Sequence, residues 1–185
     1  MHQYFSKEFA YNGTIVSSKI SDMKTLVIFI LLSAVSLNVL SQLKTTPVCP
    51  VFTVDILDGK VNDVRPDFTI GQIKQKLPCF TSEESESGSS KCGGGVFYKD
   101  KDINFYTGRD YVEIGEKFKG KLSIPIMGAS RTALFKWLGN AKIKDVTWDA
   151  FQTQYGTLIL YYNKANKVNK IIFSKKSTDT LSLCE

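Results

Sequence analysis

Histidine is nearly missing from this 185-residue chain. The single copy, His2, lies ahead of an export-type leader that begins at Met23. With the leader removed no imidazole is left, which excludes Ser-His-Asp and Cys-His nucleophilic arrangements and histidine metal ligands. Paired C-x-x-C units are missing too, so the four cysteines do not read as a metal site. Gly93-Gly94-Gly95 can turn N–H groups toward an anion, but no Gly-Lys-Ser/Thr closes it, so it is not a P-loop. It reads as a hinge into the next strand. Residues 81–90 are polar and acidic with nothing to bury, and they read as a flexible loop. Their Glu83, Glu84 and Glu86 lack the spacing of an EF-hand. No cofactor and no metal is expected.

What is present first is the leader. Met23-Lys24 gives a cationic start, residues 26–32 an aliphatic core, and residues 33–41 small and polar side chains, the three parts of a secretory signal peptide. Cleavage is expected after Ser41, with Val39 at minus three; cleavage after Ser36 is the alternative. A retained membrane anchor is the competing reading, because no charge falls between Lys24 and Lys44. A spanning helix needs about 20 mainly apolar residues, however, and Ser33, Ser36, Asn38 and Ser41 dilute this one. Three segments follow. Residues 1–22 are an upstream extension without periodic pattern, 23–41 the signal peptide, and 42–185 a single exported domain, periplasmic or secreted. Cys49 stands too far behind the aliphatic core to be a lipidation cysteine.

The formal net charge is +6; three of the 24 Lys and Arg and two of the 18 Asp and Glu lie in residues 1–41, which leaves +5 on the exported part. Its lysines are scattered, Lys91, Lys121, Lys142 and Lys176 among them, the pattern of a solvated surface, and export argues against a nucleic-acid partner. Cys49, Cys79, Cys92 and Cys184 all follow the leader. An even count in an exported chain reads as disulfides, with three connectivities open. Cys79–Cys92 would close the polar loop, and Cys49–Cys184 would then clasp the two ends of the domain.

Residues 51–57 are β-branched and apolar and predict a strand, which Asp58-Gly59 turns into a short return over residues 60–64. Thr69-x-x-Gln72 is a capping box, and Ile70, Ile73 and Leu77 give the following helix one apolar stripe before Pro78 stops it. Further strands are predicted over residues 96–98, 103–107, 111–114, 122–126, 155–162 and 167–174. Ser130 caps a second helix carrying Leu134, Phe135, Trp137 and Leu138, ended by Gly139. At a constant offset of 61 residues, Thr69 matches Ser130, Ile73 matches Leu134, Leu77 matches Leu138 and Gly95 matches Gly156. This register predicts two tandem strand-helix-loop-meander repeats, about 50–118 and about 121–176. They would share one antiparallel sheet with two short helices packed on one face, an α+β architecture.

Asp67-Phe68-Thr69-Ile70-Gly71-Gln72-Ile73-Lys74-Gln75-Lys76-Leu77-Pro78 resembles a motif of small exported bacterial domains. In these a turn, a Thr cap and an Ile/Val-x-x-x-Leu helix precede a loop and a strand meander. Met127-Gly128-Ala129-Ser130 through Trp137-Leu138-Gly139 is a similar second copy. The families are β-lactamase inhibitory protein and the small lipoprotein of the outer-membrane barrel-assembly machinery, the tandem inhibitor being the closer analogue. The resemblance covers about residues 50–175. It implies a duplicated exported architecture, a binding-protein character, and a disulfide bracketing the loop after each helix, as Cys79 and Cys92 could form. Asn140 stands where Cys79 would repeat, and the lipidated cysteine of the assembly protein is absent. No contact residue is carried over.

These features predict a non-catalytic exported binding or assembly protein that acts through a sheet surface on an unknown exported or envelope protein. The binding candidates are Tyr98, Tyr106, Tyr155, Tyr161 and Tyr162, because tyrosine joins buried area to a polar tip. Alternation along strands puts Phe97 and Phe105 on one face and Tyr98 and Tyr106 on the other, and sets Tyr161 and Tyr162 to opposite sides. Trp137 and Trp148 read as core. Two rivals stand beside this reading. One is a cell-envelope glycan- or surface-binding module using lysines and aromatics. The other is a carboxylate-dependent envelope hydrolase drawing on Asp100, Asp102, Asp110, Glu113 and Glu116, which sit in turns and at strand edges where carboxylates serve solvation. A membrane enters only through an uncleaved signal.

Overall fold

The structure, a computed structural model, describes residues 48–87 and 91–184. The upstream extension, the expected leader and residues 88–90 of the polar loop lie outside them. The chain divides into units Met1–Thr46 and Pro47–Glu185, and every described residue belongs to the second.

Two sheets, two short helices and two 3-10 turns, the first of them Thr107–Arg109, are the regular elements of the described residues. The order is β1 (Thr53–Asp55), β2 (Lys60–Val61), α1 (Ile70–Lys76), β3 (Ser82–Glu84), β4 (Gly95–Tyr98), β5 (Ile103–Tyr106) and β6 (Tyr111–Gly115). Then come β7 (Lys121–Leu122), a 3-10 turn (Arg131–Leu134), α2 (Phe135–Leu138), β8 (Ile143–Lys144), β9 (Trp148–Gln152), β10 (Thr157–Tyr162) and β11 (Val168–Ser174). The larger sheet runs β3-β4-β5-β6-β11-β10-β9-β8 and is antiparallel throughout. The smaller runs β2-β1-β7, with β1 and β7 parallel. Two four-stranded meanders thus meet at β6 and β11, and a short helix precedes each in the chain. This is an α+β fold in which sheet dominates.

The first helix forms as its sequence predicts. The Thr69 hydroxyl accepts from the Gln72 N–H at 3.4 Å, and Gln72 Oε1 accepts from the Thr69 N–H at 2.9 Å. Two donors that the first turn would leave unpaired are satisfied reciprocally. Lys74 and Lys76 in the last turn complement the helix dipole. The second helix starts differently. Ser130 makes no cap bond, and the chain winds as the 3-10 turn before α2 forms and Gly139 stops it at φ 68°.

Ile73, Leu77 and Leu134 lay the helical segments on one face of the larger sheet, against Val96, Phe105, Leu158 and Phe173. Phe52, Val54 and Ile56 of the β1 segment fill the same core. Burying each such side chain contributes about 1.5–3 kcal/mol relative to exposure. The smaller sheet is keyed in by Tyr155, whose hydroxyl donates to Ile56 O at 3.1 Å. Its ring lies only 2.4 Å from where a Cβ on Gly59 would stand, at a residue with φ 61°. Glycine alone fits there.

Several expectations are corrected. Residues 82–84 of the polar loop form β3: an edge strand needs a ladder on one side only, and its side chains stay largely in water. The strand expected over residues 122–126 shrinks to Lys121–Leu122, because Pro125 has no N–H for a ladder. Ile124 and Ile126 are buried without it. Strands β8 and β9 were not expected. Gly95 opens the second strand of the first meander, whereas Gly156 precedes the third strand of the second. The match between them fails because residues 85–94 join β3 to β4, but only residues 145–147 join β8 to β9.

The disulfides join Cys49 to Cys79 and Cys92 to Cys184. The pairing Cys79–Cys92 is ruled out by strand direction. Thr81 bonds to Phe97 and Lys99 at one end of the β3–β4 hairpin, so Cys79 lies there. Glu84 pairs with Gly95 at the other end, where Cys92 lies. Two disulfides are the covalent pattern of a chain that matures in an oxidising compartment. Among the described residues no helix is long and apolar enough to cross a membrane.

Candidate functional site

The antiparallel register sorts side chains between the two faces of the larger sheet. Tyr98 pairs with Ile103 and Val96 with Phe105, so Tyr98 and Phe105 share the helix-covered face and their rings meet edge-on at 5.8 Å. Phe97 and Tyr106 share the opposite face, edge-on at 5.6 Å. The sequence reading that grouped Phe97 with Phe105, and Tyr98 with Tyr106, is wrong by one residue. The turn between β4 and β5 sets the register, and alternation within a strand says nothing about it.

The five tyrosine candidates therefore separate. Tyr98 is fully buried under α1 and donates to Leu77 O at 2.6 Å. Burial raises its phenol well above the ordinary value. Tyr162 is also core, 7% exposed, and donates to Asp149 at 2.8 Å; burial first, then that bond, raises it. Tyr155 is the buttress of Gly59 described above. These three hold the fold together. Tyr106 and Tyr161 lie on the face that the helices leave uncovered, and both are half-buried. Tyr106 packs on Tyr111 at 4.6 Å, and burial, followed by the nearby Glu113 and Glu84, raises its phenol. Tyr161 pairs with Trp148 on one side and Lys170 on the other. The Lys170 ammonium stands 4.2 Å above its ring.

The C-terminal tail crosses this uncovered face, which sequence patterning gave no reason to expect. The Thr157 hydroxyl donates to Lys176 O at 2.8 Å, Arg109 donates to Ser182 Oγ at 2.6 Å, and Lys142 meets Asp179 at 3.3 Å. The Cys184 N–H donates to Tyr111 Oη at 3.2 Å, beside the Cys92 disulfide that ends the strap. Leu181 and Leu183 pack onto Ala150, Ile159, Ile172 and Trp148. Between the tail and β8–β10 lies a groove of about 410 Å³, lined by Ile143, Trp148, Ala150, Thr157, Ile159, Thr178, Leu181 and Leu183. Trp148 is thus a wall of this groove, whereas Trp137 packs against the main core as expected.

On the covered face the sequence concealed a charged cluster. Asp149 is 4% exposed. It accepts from Arg131 Nε at 2.9 Å and from Nη2, and from the Tyr162 hydroxyl, while the guanidinium lies 4.9 Å from the Tyr162 ring. The hydrogen bond that Arg131 donates to Asp149 raises the Arg131 pKa further. Arg131 Nη2 also donates to Asp145 O at 2.7 Å. Its signal was weak: an Arg directly after a cap position and an Asp between Trp148 and Phe151.

Four of the five carboxylates considered for hydrolysis have a local role. Asp100 pairs with Lys101 at 2.9 Å, and that hydrogen bond lowers its pKa. Asp102 accepts the Lys117 N–H at 2.7 Å. Asp110 pairs with Lys176 at 3.0 Å and Glu113 with Lys170 at 3.6 Å, while Glu116 is exposed. Glu83 pairs with Lys74 at 2.6 Å. Among the described residues no three His, Cys, Asp or Glu side chains converge as a metal site would require. The chain matches no protein-family model, no curated protein and no solved structure.

Proposed function

We propose that the chain is an exported, non-catalytic binding protein that engages another protein through the uncovered face of its larger sheet. The observation that carries this reading is the cross-strand row Trp148–Tyr161–Lys170, with Tyr161 half-exposed in the middle. An aromatic already held under a lysine has little rotamer freedom left to lose on binding. Lys170 over its ring, Glu113 paired with Lys170 and Asn104 bonded to Glu113 offer a polar row leading away from it, as at the rim of an interface. The two disulfides support export, to either the periplasm or the medium.

Tandem duplication belongs to the same proposal. Its support is the helix-then-four-strands order occurring twice, the side-by-side seats of β6 and β11, and the helix matches at offset 61. The relationship to β-lactamase inhibitory protein and the barrel-assembly lipoprotein is proposed at the level of architecture only.

The test is affinity capture with the full chain from the envelope and secreted fractions of the producing cell. Tyr161→Ala should reduce recovery of a specific protein by about tenfold, while Phe135→Ala, exposed on the helix side, should not. Equal recovery with Tyr161→Ala would sink the reading. Turnover of an envelope polysaccharide would replace it with the hydrolase, and Tyr161-dependent retention on a glycan would replace it with the surface module.

A further inference from the structure

The groove beneath the tail has properties of its own. Every lining side chain is uncharged, on a chain whose formal net charge is +6. Its hydrogen-bonding side chains, apart from the Trp148 indole N–H, are Thr157 and Thr178, and the Thr157 hydroxyl is already engaged with Lys176 O. Its volume, about 410 Å³, falls within the ~300–1,000 Å³ of small-molecule sites. Its outer wall, Leu181 and Leu183, is fixed at both ends, by the Thr157–Lys176 bond and by the Cys92–Cys184 disulfide. A wall tied in this way is preformed, so a ligand does not have to order it.

We infer that this groove is a binding site for an uncharged, predominantly apolar small molecule, seated against the Trp148 indole and enclosed by the tail. Charge selects the class. An ionised group would lose its water here without meeting a counter-charge, which is strongly unfavourable. A peptide strand is a poor occupant for a related reason. The floor consists of side chains rising from β8–β10, whose central ladder bonds are already made, so a peptide's N–H and C=O groups would go unpaired. The Tyr161 surface proposed above is not needed for this inference.

The test uses the two tryptophans. Trp137→Phe leaves Trp148 as the single tryptophan of the full chain, disulfides intact. Titration with the neutral probe N-phenyl-1-naphthylamine should quench Trp148 emission saturably as probe emission rises. Ile143→Arg adds a charge at a partly exposed edge position, and Thr178→Phe fills the groove from the tail side. Each should weaken the probe by about tenfold or more while circular dichroism and Tm stay near the parent values. Absence of saturable transfer overturns the inference, as does unchanged affinity in a folded variant. If one variant fails to fold, the other decides.

Discussion

The two halves of the larger sheet carry equivalent loads by different means. In the half β3–β6 the covering helix is started by side-chain capping at Thr69 and tied by Cys49–Cys79. In the half β8–β11 the covering turn has no side-chain cap and is instead tied to the sheet by Arg131 and buried Asp149. A capping box costs little desolvation because its groups stay near water. This ion pair is stable only while both partners remain, since Asp149 without Arg131 is a charge without solvent. The same topological slot can therefore be robust in one half and brittle in the other.

The largest expected effect tests the tie between the halves. Cys92→Ala with Cys184→Ala removes a cross-link spanning 92 residues, worth about 4.6 kcal/mol on the chain-entropy model, against about 3.6 kcal/mol for Cys49–Cys79. Denaturant midpoints should fall in that order. Hydrogen exchange should rise in residues 177–184 for the first variant alone.

Arg131→Ala should cost about 3–5 kcal/mol by urea unfolding, because Asp149 is left buried without its cation. A loss under about 1 kcal/mol would mean that Asp149 is hydrated in solution and would erase the contrast between the halves.

Alkaline pH probes one core tyrosine in each half. Tyr98 and Tyr162 both have phenols raised by burial. Above about pH 10 the unfolded tyrosines release protons that the native ones keep, so stability is full below that pH and falls as pH rises. Each contributes a slope of at most about 1.4 kcal/mol per pH unit. Tyr98→Phe and Tyr162→Phe should each flatten the slope of stability measured between about pH 9 and pH 11. An unchanged slope in both would show that neither phenol is shielded.

The smallest effect is the sharpest comparison. Thr69→Ala should cost about 1 kcal/mol, whereas Ser130→Ala should change stability by less than about 0.5 kcal/mol because Ser130 makes no cap bond. Equal losses would show that the second helix start is capped after all.

Much of this was readable in advance where the determinant is local. The helix at residues 70–76 follows from Thr69, Gln72, the Ile73–Leu77 stripe and Pro78, all within a few residues of one another. Strands β4, β5, β6, β10 and β11 follow from runs such as Thr157-Leu158-Ile159-Leu160. Strand β3 was not readable, because Ser82-Glu83-Glu84 is a strand only through the neighbour that pairs with it. Of the candidate tyrosines, Tyr106 and Tyr161 stand on the open face and Tyr98 and Tyr162 in the core; alternation separates Tyr161 from Tyr162 but does not say which of the two faces the core. The groove was invisible, since Thr178, Leu181 and Leu183 meet Ile143 and Trp148 only after the tail folds back.

By itself the sequence determined the composition of the chemistry: no histidine beyond His2, an even set of cysteines, a capped helix and strands of known polarity. These depend on residue identity and short spacing alone. The tertiary structure decided which cysteines pair, which face each aromatic occupies, and that the last eight described residues roof a groove. Those outcomes depend on strand register and direction, which are set by turns and by partners far along the chain.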